Sequence, residues 1–264
     1  MKSNVWYFVA AAVCAPTSPA LAQDETQPSR GFCAGYGMTG CTMAEGRVAI
    51  EATPIDWETA GSRGARVDNF TIGRFALRFG VSDRVEAIAG WTPFGISDPR
   101  GGRRRSDGTG DVTLGAKVNL VNPDGSGFSV AVLPFVNLPT GQQPVGAGKW
   151  TGGVAVPISM ALGHVSLRLR PEVSALPDSD GIGRHPSYTL IGGIRYGLAA
   201  KLGVVGELAA QRNDDPMGAS DLRFATLLMG WNPDPEVQIE PAVTLGLNQA
   251  SPDLRVRMAF MKRF

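Results

Sequence analysis

The sequence predicts an all-β protein, an antiparallel transmembrane β-barrel of about 12 strands with both termini on the periplasmic side. Three observations carry that prediction. The last segment, 254–264, alternates apolar Leu254, Val256, Met258 and Phe260 with Arg255 and Arg257, and ends on the aromatic Phe264. The first segment is built for export. Between them, period-two segments are joined by links that alternate short and long.

Residues 1–22 read as a secretory signal peptide. Lys2 supplies the basic start, 5–13 the apolar core, and Ala20-Leu21-Ala22 a small-x-small cleavage site before Gln23. The apolar run is shorter than the roughly 20 residues a spanning helix needs, and Pro16 and Pro19 interrupt its end. Cys14 lacks the leucine three residues earlier that a lipid-anchor site would show. Lys2 is the one charged residue of this leader. Its removal from 25 basic residues leaves 24 against 24 acidic ones. A neutral chain of this kind is not expected to bind nucleic acid.

Two further cysteines, Cys33 and Cys41, lie close in sequence, and in an exported chain they suggest a disulfide closing a small loop. Two thiols with no histidine nearby do not make a metal site. The stretch 23–45 that holds them is glycine-rich and is expected to be a periplasmic tail. The alternative is a small disulfide-pinned plug entering the lumen.

From 46 to 264 the chain divides into twelve segments: 47–58, 68–80, 85–93, 110–120, 128–138, 151–161, 164–175, 187–197, 201–212, 221–232, 236–248 and 254–264. Short links fall at 81–84, 121–127, 162–163, 198–200 and 233–235. Long ones fall at 59–67, 94–109, 139–150, 176–186 and 213–220, with a brief last one at 249–253. Outer-membrane barrels have short periplasmic turns and longer outer loops, and an even strand count keeps both termini on one side. In-strand glycines such as Gly73, Gly115, Gly192 and Gly206 suit barrel bends.

An arginine facing lipid at the bilayer midplane costs roughly 2–4 kcal/mol, so charged positions are assigned to the lumen. Val165, Leu167 and Leu169 then face out while Ser166, Arg168, Arg170 and Glu172 face in. Val112, Leu114, Ala116 and Val118 oppose Thr113, Lys117 and Asn119 in the same way. Tyr188 and Tyr196 sit at opposite ends of one outer face, where aromatic girdles are expected. The full inward set is Glu51, Arg74, Arg78, Glu86, Lys117, Arg168, Arg170, Glu172, Arg195, Glu207, Glu240, Arg255 and Arg257. Its eight basic and five acidic members tilt selectivity weakly toward anions or polarised aromatic solutes.

No catalytic constellation emerges. The two histidines, His164 at a periplasmic turn and His185 in an outer loop, do not share a site, so nucleophilic hydrolysis lacks its base. Gly146-Ala-Gly148 does not lead from a strand into a helix and is no phosphate loop. The basic run at 99–107 reads as a solvated outer loop able to bridge lipopolysaccharide phosphates; the alternative is a funnel that recruits anionic substrates. No cofactor is expected.

Ser82-Asp-Arg-Val-Glu86, Gly110-Asp-Val-Thr-Leu-Gly-Ala-Lys117 and Leu138-Pro-Thr-Gly141 occur in that order. With the Phe264 terminus, they resemble a broad family of bacterial outer-membrane proteins assigned as transporters of the meta-pathway of phenol degradation. The resemblance covers most of the exported chain, although 33–41 has no counterpart in it. It implies a transmembrane barrel, passage of small hydrophobic or aromatic compounds, and no catalytic residues. The expected function is thus an outer-membrane channel for passive diffusion, gated by loops 94–109 and 139–150. The alternative is a structural or adhesive barrel with a blocked lumen. Expected partners are outer-membrane lipid and lipopolysaccharide, the barrel-assembly machinery at Phe264, and a small-molecule solute.

Overall fold

The computed structural model describes residues 38–61, 66–100 and 104–264. Its strands are β1 (Val48–Ala60), β2 (Val67–Ser82), β3 (Val85–Trp91), β4 (Phe94–Pro99) and β5 (Ser106–Gly108). They continue with β6 (Thr113–Val121), β7 (Phe128–Asn137), β8 (Thr151–Ala155), β9 (Ile158–Leu162) and β10 (Val165–Pro177). The last five are β11 (Arg184–Ala199), β12 (Leu202–Asn213), β13 (Ser220–Asp234), β14 (Val237–Gly246) and β15 (Leu254–Arg263).

Each strand pairs antiparallel with its neighbours, and β1 pairs with both β2 and β15, so the sheet closes on itself. At the seam, Val48 and Phe264 exchange backbone hydrogen bonds (Phe264 N to Val48 O, 2.9 Å). The protein is a closed barrel of twelve staves. Three staves are each in two pieces: β3 with β4, β5 with β6, and β8 with β9.

Two of the three interruptions have a common chemistry. Pro93 lies between β3 and β4, and Pro157 between β8 and β9, and proline brings no N–H to a ladder. The wall stays bonded across the second break, because Ala131 N reaches Pro157 O at 3.0 Å and Val156 N reaches Pro171 O at 2.9 Å. In β1 the register with β15 shifts between Ala52 and Ile55, around Pro54. Gly73, which follows the facing Ile72 in β2, takes up a positive φ of 71°.

One expectation is corrected here. The long loop placed at 94–109 is mostly strand: β4 continues the ladder on β2 from Ile72–Phe94 to Val67–Pro99, and β5 pairs back onto β4. Thr92-Pro93 ends the alternation locally without ending the stave. The connection proper is 100–105. Likewise β11 begins at Arg184, so His185 stands on a strand and not in a loop.

Apolar side chains on the outer face are exposed: Leu208, Leu227, Ile55 and Ile194 are among the most open large hydrophobic residues described, Leu208 at 64%. Charged side chains on the inner face are buried, including Arg78, Glu86 and Lys117, the last at 0%. This inverts the order of a water-soluble globule and suits a solvent of lipid tails. Tyr188 and Tyr196 are exposed at positions eight residues apart on β11, roughly 27 Å of strand, comparable with the apolar band of a barrel. Small apolar clusters (Ile88 with Leu133 and Ala155; Val205 with Leu228 and Ala242) are buried between the inward charges.

The partition gives a direct test. Leu208→Arg puts a cation on the outer face at mid-strand and should reduce the folded, heat-modifiable fraction in membranes severely, given a cost of roughly 2–4 kcal/mol. Glu172→Gln on the inner face should leave that fraction near the wild-type value. Equal yields of the two variants would contradict the assignment of faces.

Candidate functional site in the barrel lumen

The inner face holds its charges in linked groups. Nearest the short turns, Arg78 on β2 places Nε 2.6 Å from Glu86 Oε1 and Nη2 3.0 Å from Glu86 Oε2, while its Nη1 reaches Glu51 Oε1 at 2.7 Å. Lys117 on β6 lies directly across the ladder from Glu86. A charge this far from water is tolerated only when paired and hydrogen-bonded, and two carboxylates here face one guanidinium and one ammonium.

That group holds a strap of backbone. Residues 38–44 enter the barrel from the short-turn end and run along the inner face of β3, β6, β7 and β9. Lys117 Nζ donates to Cys41 O at 3.2 Å, and Asn119 Nδ2 to Gly40 O at 2.7 Å. Gly40 N donates to Ser159 Oγ at 3.2 Å, and Met43 N to Glu86 Oε2 at 3.0 Å. Thr42 N and Oγ1 bond to the carbonyls of Pro123 and Asp83 in two short turns. Met38, fully buried, packs on Ile191 of β11. Gly80 is the point of closest approach: a Cβ there would overlap the Ala44 carbonyl oxygen.

The stretch expected as a free tail is therefore lumenal over 38–44. The backbone donors and acceptors of a segment without secondary structure find buried side-chain partners inside the barrel. Cys33, and with it the expected Cys33–Cys41 disulfide, lies outside the described residues.

Higher on the β1–β2–β15 wall, Asp56 accepts from Arg74 Nη2 at 2.9 Å, Arg255 Nε at 2.7 Å and Arg255 Nη2 at 2.5 Å. Arg257 is its register partner on β15. Across the barrel, Arg168 on β10 approaches Glu207 on β12 (3.4 Å), and Arg170 Nη2 bonds Glu172 Oε2 at 2.5 Å. Gln238 donates to Glu240 at 2.6 Å, and Arg195 is buried beside Gly203. Asp56 and the register-linked Glu58 were absent from the sequence-based set, because the bulge at Pro54 reverses the phase of β1. They narrow the basic surplus from which an anion preference was expected.

At the opposite end, the connection 138–150 folds inward. Asp111 holds it from two sides: Oδ1 accepts from Gly141 N at 2.8 Å and Oδ2 from Ala147 N at 2.7 Å. Val112 N donates to Thr140 Oγ1 at 2.9 Å, and Gln142 N to Thr109 O at 2.8 Å. Val145 then lies against Gly95 on the inner face of β4, where a Cβ would meet its side chain at 2.6 Å. The expected gate at 139–150 is thus a packed inward fold, seated on Thr109, Asp111 and Val112 and, through Val145, on Gly95 of β4. Arg104 and Arg105 of the basic run are exposed, and Arg100 pairs with Asp68 at 2.7 Å.

A closed twelve-stave barrel, apolar outside, with paired charges, a strap and an inward-folded connection inside, defines the class: an outer-membrane β-barrel. The chain belongs to the family described as "Putative MetA-pathway of phenol degradation", whose model matches residues 43–254. An outer-membrane channel from Pseudomonas putida F1 shares its fold with a TM-score of 0.67 at 14% identity, over 85% of this chain and 97% of that one. The NanC porin gives 0.53 at 9% identity, over 81% and 98%. The translocator domain of the autotransporter NalP from Neisseria meningitidis gives 0.52 at 12%, over 84% and 90%. At such identities the likeness establishes the fold alone. No curated protein matches the chain in sequence.

Two substitutions separate the lumenal pieces. Gly80→Ala should displace the strap and make 38–44 cleavable by added protease in the folded barrel, with the connection 138–150 unaffected. Asp111→Ala should do the reverse. Resistance of both segments in both variants would contradict the contacts described.

Proposed function

We propose that this protein is an outer-membrane channel for passive passage of small solutes, with hydrophobic and aromatic compounds, phenols in particular, as the class carried. The observation that carries this reading is the inner face itself, where buried arginines and carboxylates line a lumen narrowed by strap 38–44 at one end and by connection 138–150 at the other. A twelve-strand barrel is wider than an eight-strand one filled by side chains and narrower than the porins. Such a bore favours compact solutes.

The residues suit aromatic solutes carrying a hydroxyl or carboxylate. Guanidinium planes such as those of Arg74, Arg168, Arg170 and Arg255 stack on ring faces and donate to oxygen in the same contact. Asp56 holds the planes of Arg74 and Arg255, Glu207 that of Arg168 and Glu172 that of Arg170, so the lining is ordered before a solute arrives. The movement is downhill diffusion, with no energy source, cofactor or covalent step. The family's description, which refers to phenol degradation, supports the choice of solute.

The strap favours one alternative, a structural barrel whose lumen is blocked. Purified protein in liposomes and planar bilayers decides between them. The channel reading expects discrete conductance steps and faster entry of phenol and benzoate than of disaccharides, with Gly80→Ala raising conductance at least about twofold as the inner constriction opens. Absence of conductance and of flux in both wild type and Gly80→Ala would overturn it and leave the structural barrel.

A further inference from the structure

Away from the lumenal groups, one set of metal-ligating side chains is gathered at the outer mouth. Asp178 immediately follows β10, His185 is the second residue of β11, and Asp215 lies in the connection between β12 and β13. One ligand atom from each comes within 4.8 Å of the others. His185 is buried, 5% exposed, and both carboxylates are partly covered.

The geometry within the set suits coordination. His185 Nδ1 and Asp178 Oδ1 are 2.9 Å apart. Two ligands each about 2.1 Å from a tetrahedral ion stand about 3.4 Å apart, so the pair opens by roughly 0.5 Å to take an ion in place of the shared proton. Asp215 is oriented from behind: Met217 N donates to Oδ1 at 2.9 Å and Ser179 N to Oδ2 at 3.1 Å, with the Ser179 hydroxyl also on Oδ2.

Charge points the same way. Among the described residues neither Asp178 nor Asp215 pairs with an arginine or lysine, and the nearby Lys149 spends its ammonium on Gly181 O at 2.9 Å. Two carboxylates and one imidazole thus converge with no arginine or lysine paired to them. A hydrolytic reading fails on contact: the Ser179 hydroxyl donates to Asp215 and not to the imidazole, so no nucleophile meets its base.

We propose that Asp178, His185 and Asp215 form a binding site for a divalent transition-metal ion of the zinc class, joining the β10–β11 and β12–β13 hairpins at the outer mouth. One nitrogen and two carboxylate ligands suit zinc, manganese or nickel; calcium and magnesium are bound through oxygen alone. The remaining positions on the ion are left for water. The ion replaces the hydrogen bond between His185 and Asp178 with two metal–ligand bonds and adds the third from the neighbouring hairpin. Its effect is to staple two outer connections that the barrel ladder alone leaves separate.

Zinc chloride titrated into the tag-free, detergent-purified full chain, followed by calorimetry, tests the proposal. The expected result is saturable binding of one ion per chain, weakened roughly tenfold or more by His185→Ala and also by Asp215→Asn, which keeps shape and removes charge. Bound zinc should also slow tryptic cleavage after Arg184 and Arg212 in wild type and in neither variant. Absence of saturable binding, affinity unchanged in both variants, or equal affinity for calcium would each overturn it.

Discussion

The ladder between β1 and β15 is the constraint on which everything else depends. A sheet of this length in lipid cannot leave an open edge, since unbonded N–H and C=O groups in hydrocarbon cost several kcal/mol each. Closure through Ala49–Arg263 to Thr59–Leu254 removes the edge and divides every strand into an outer and an inner row. The outer row must then be apolar. Charged side chains, confined to the inner row, have to neutralise one another across a narrow bore, and they do so in groups: Glu51–Arg78–Glu86, Asp56–Arg74–Arg255 and Arg168–Glu207.

Once formed, those groups become a surface on which irregular backbone can lie. Strap 38–44 has no ladder of its own, and its peptide groups are satisfied by Lys117, Asn119, Ser159 and Glu86. At the outer end Asp111 does for 138–150 what Lys117 does for the strap. One side chain, fixed by its stave, bonds two points on a passing chain. The bore is therefore shaped at both ends by segments that the barrel wall holds by hydrogen bonds, with Met38 and Val145 adding apolar contact.

Much of this architecture was legible in the sequence, and for a physical reason. Period-two alternation and turn residues are local, so the twelve staves, the inward arginines and the closing aromatic strand could be read directly. The errors fall where proline breaks the alternation. Thr92-Pro93 made β4 look like loop, and Pro54 concealed that Asp56 and Glu58 return to the inner face. The strap was misread as a tail because what holds it is tertiary: Lys117 and Glu86 are far from Cys41 and Met43 in sequence. Its trace in the sequence is the glycine at position 80, whose missing side chain leaves room for the strap. The motifs 110–117 and 138–141, read separately, touch through Asp111 and Gly141, which explains why they occur together. The grouping of Asp178, His185 and Asp215 was equally out of reach, since His185 was placed in a loop and Asp215 belongs to another hairpin.

The most direct test of the account is a spin-label scan of single positions 165–172 on β10 in reconstituted membranes, comparing collision with oxygen, which concentrates in lipid, and with a water-soluble nickel chelate. Oxygen accessibility should peak at Val165, Leu167 and Leu169 and fall at Ser166, Arg168 and Arg170. A flat profile, or one shifted by a single residue, would contradict a ring that keeps hydrocarbon outside and its charges within.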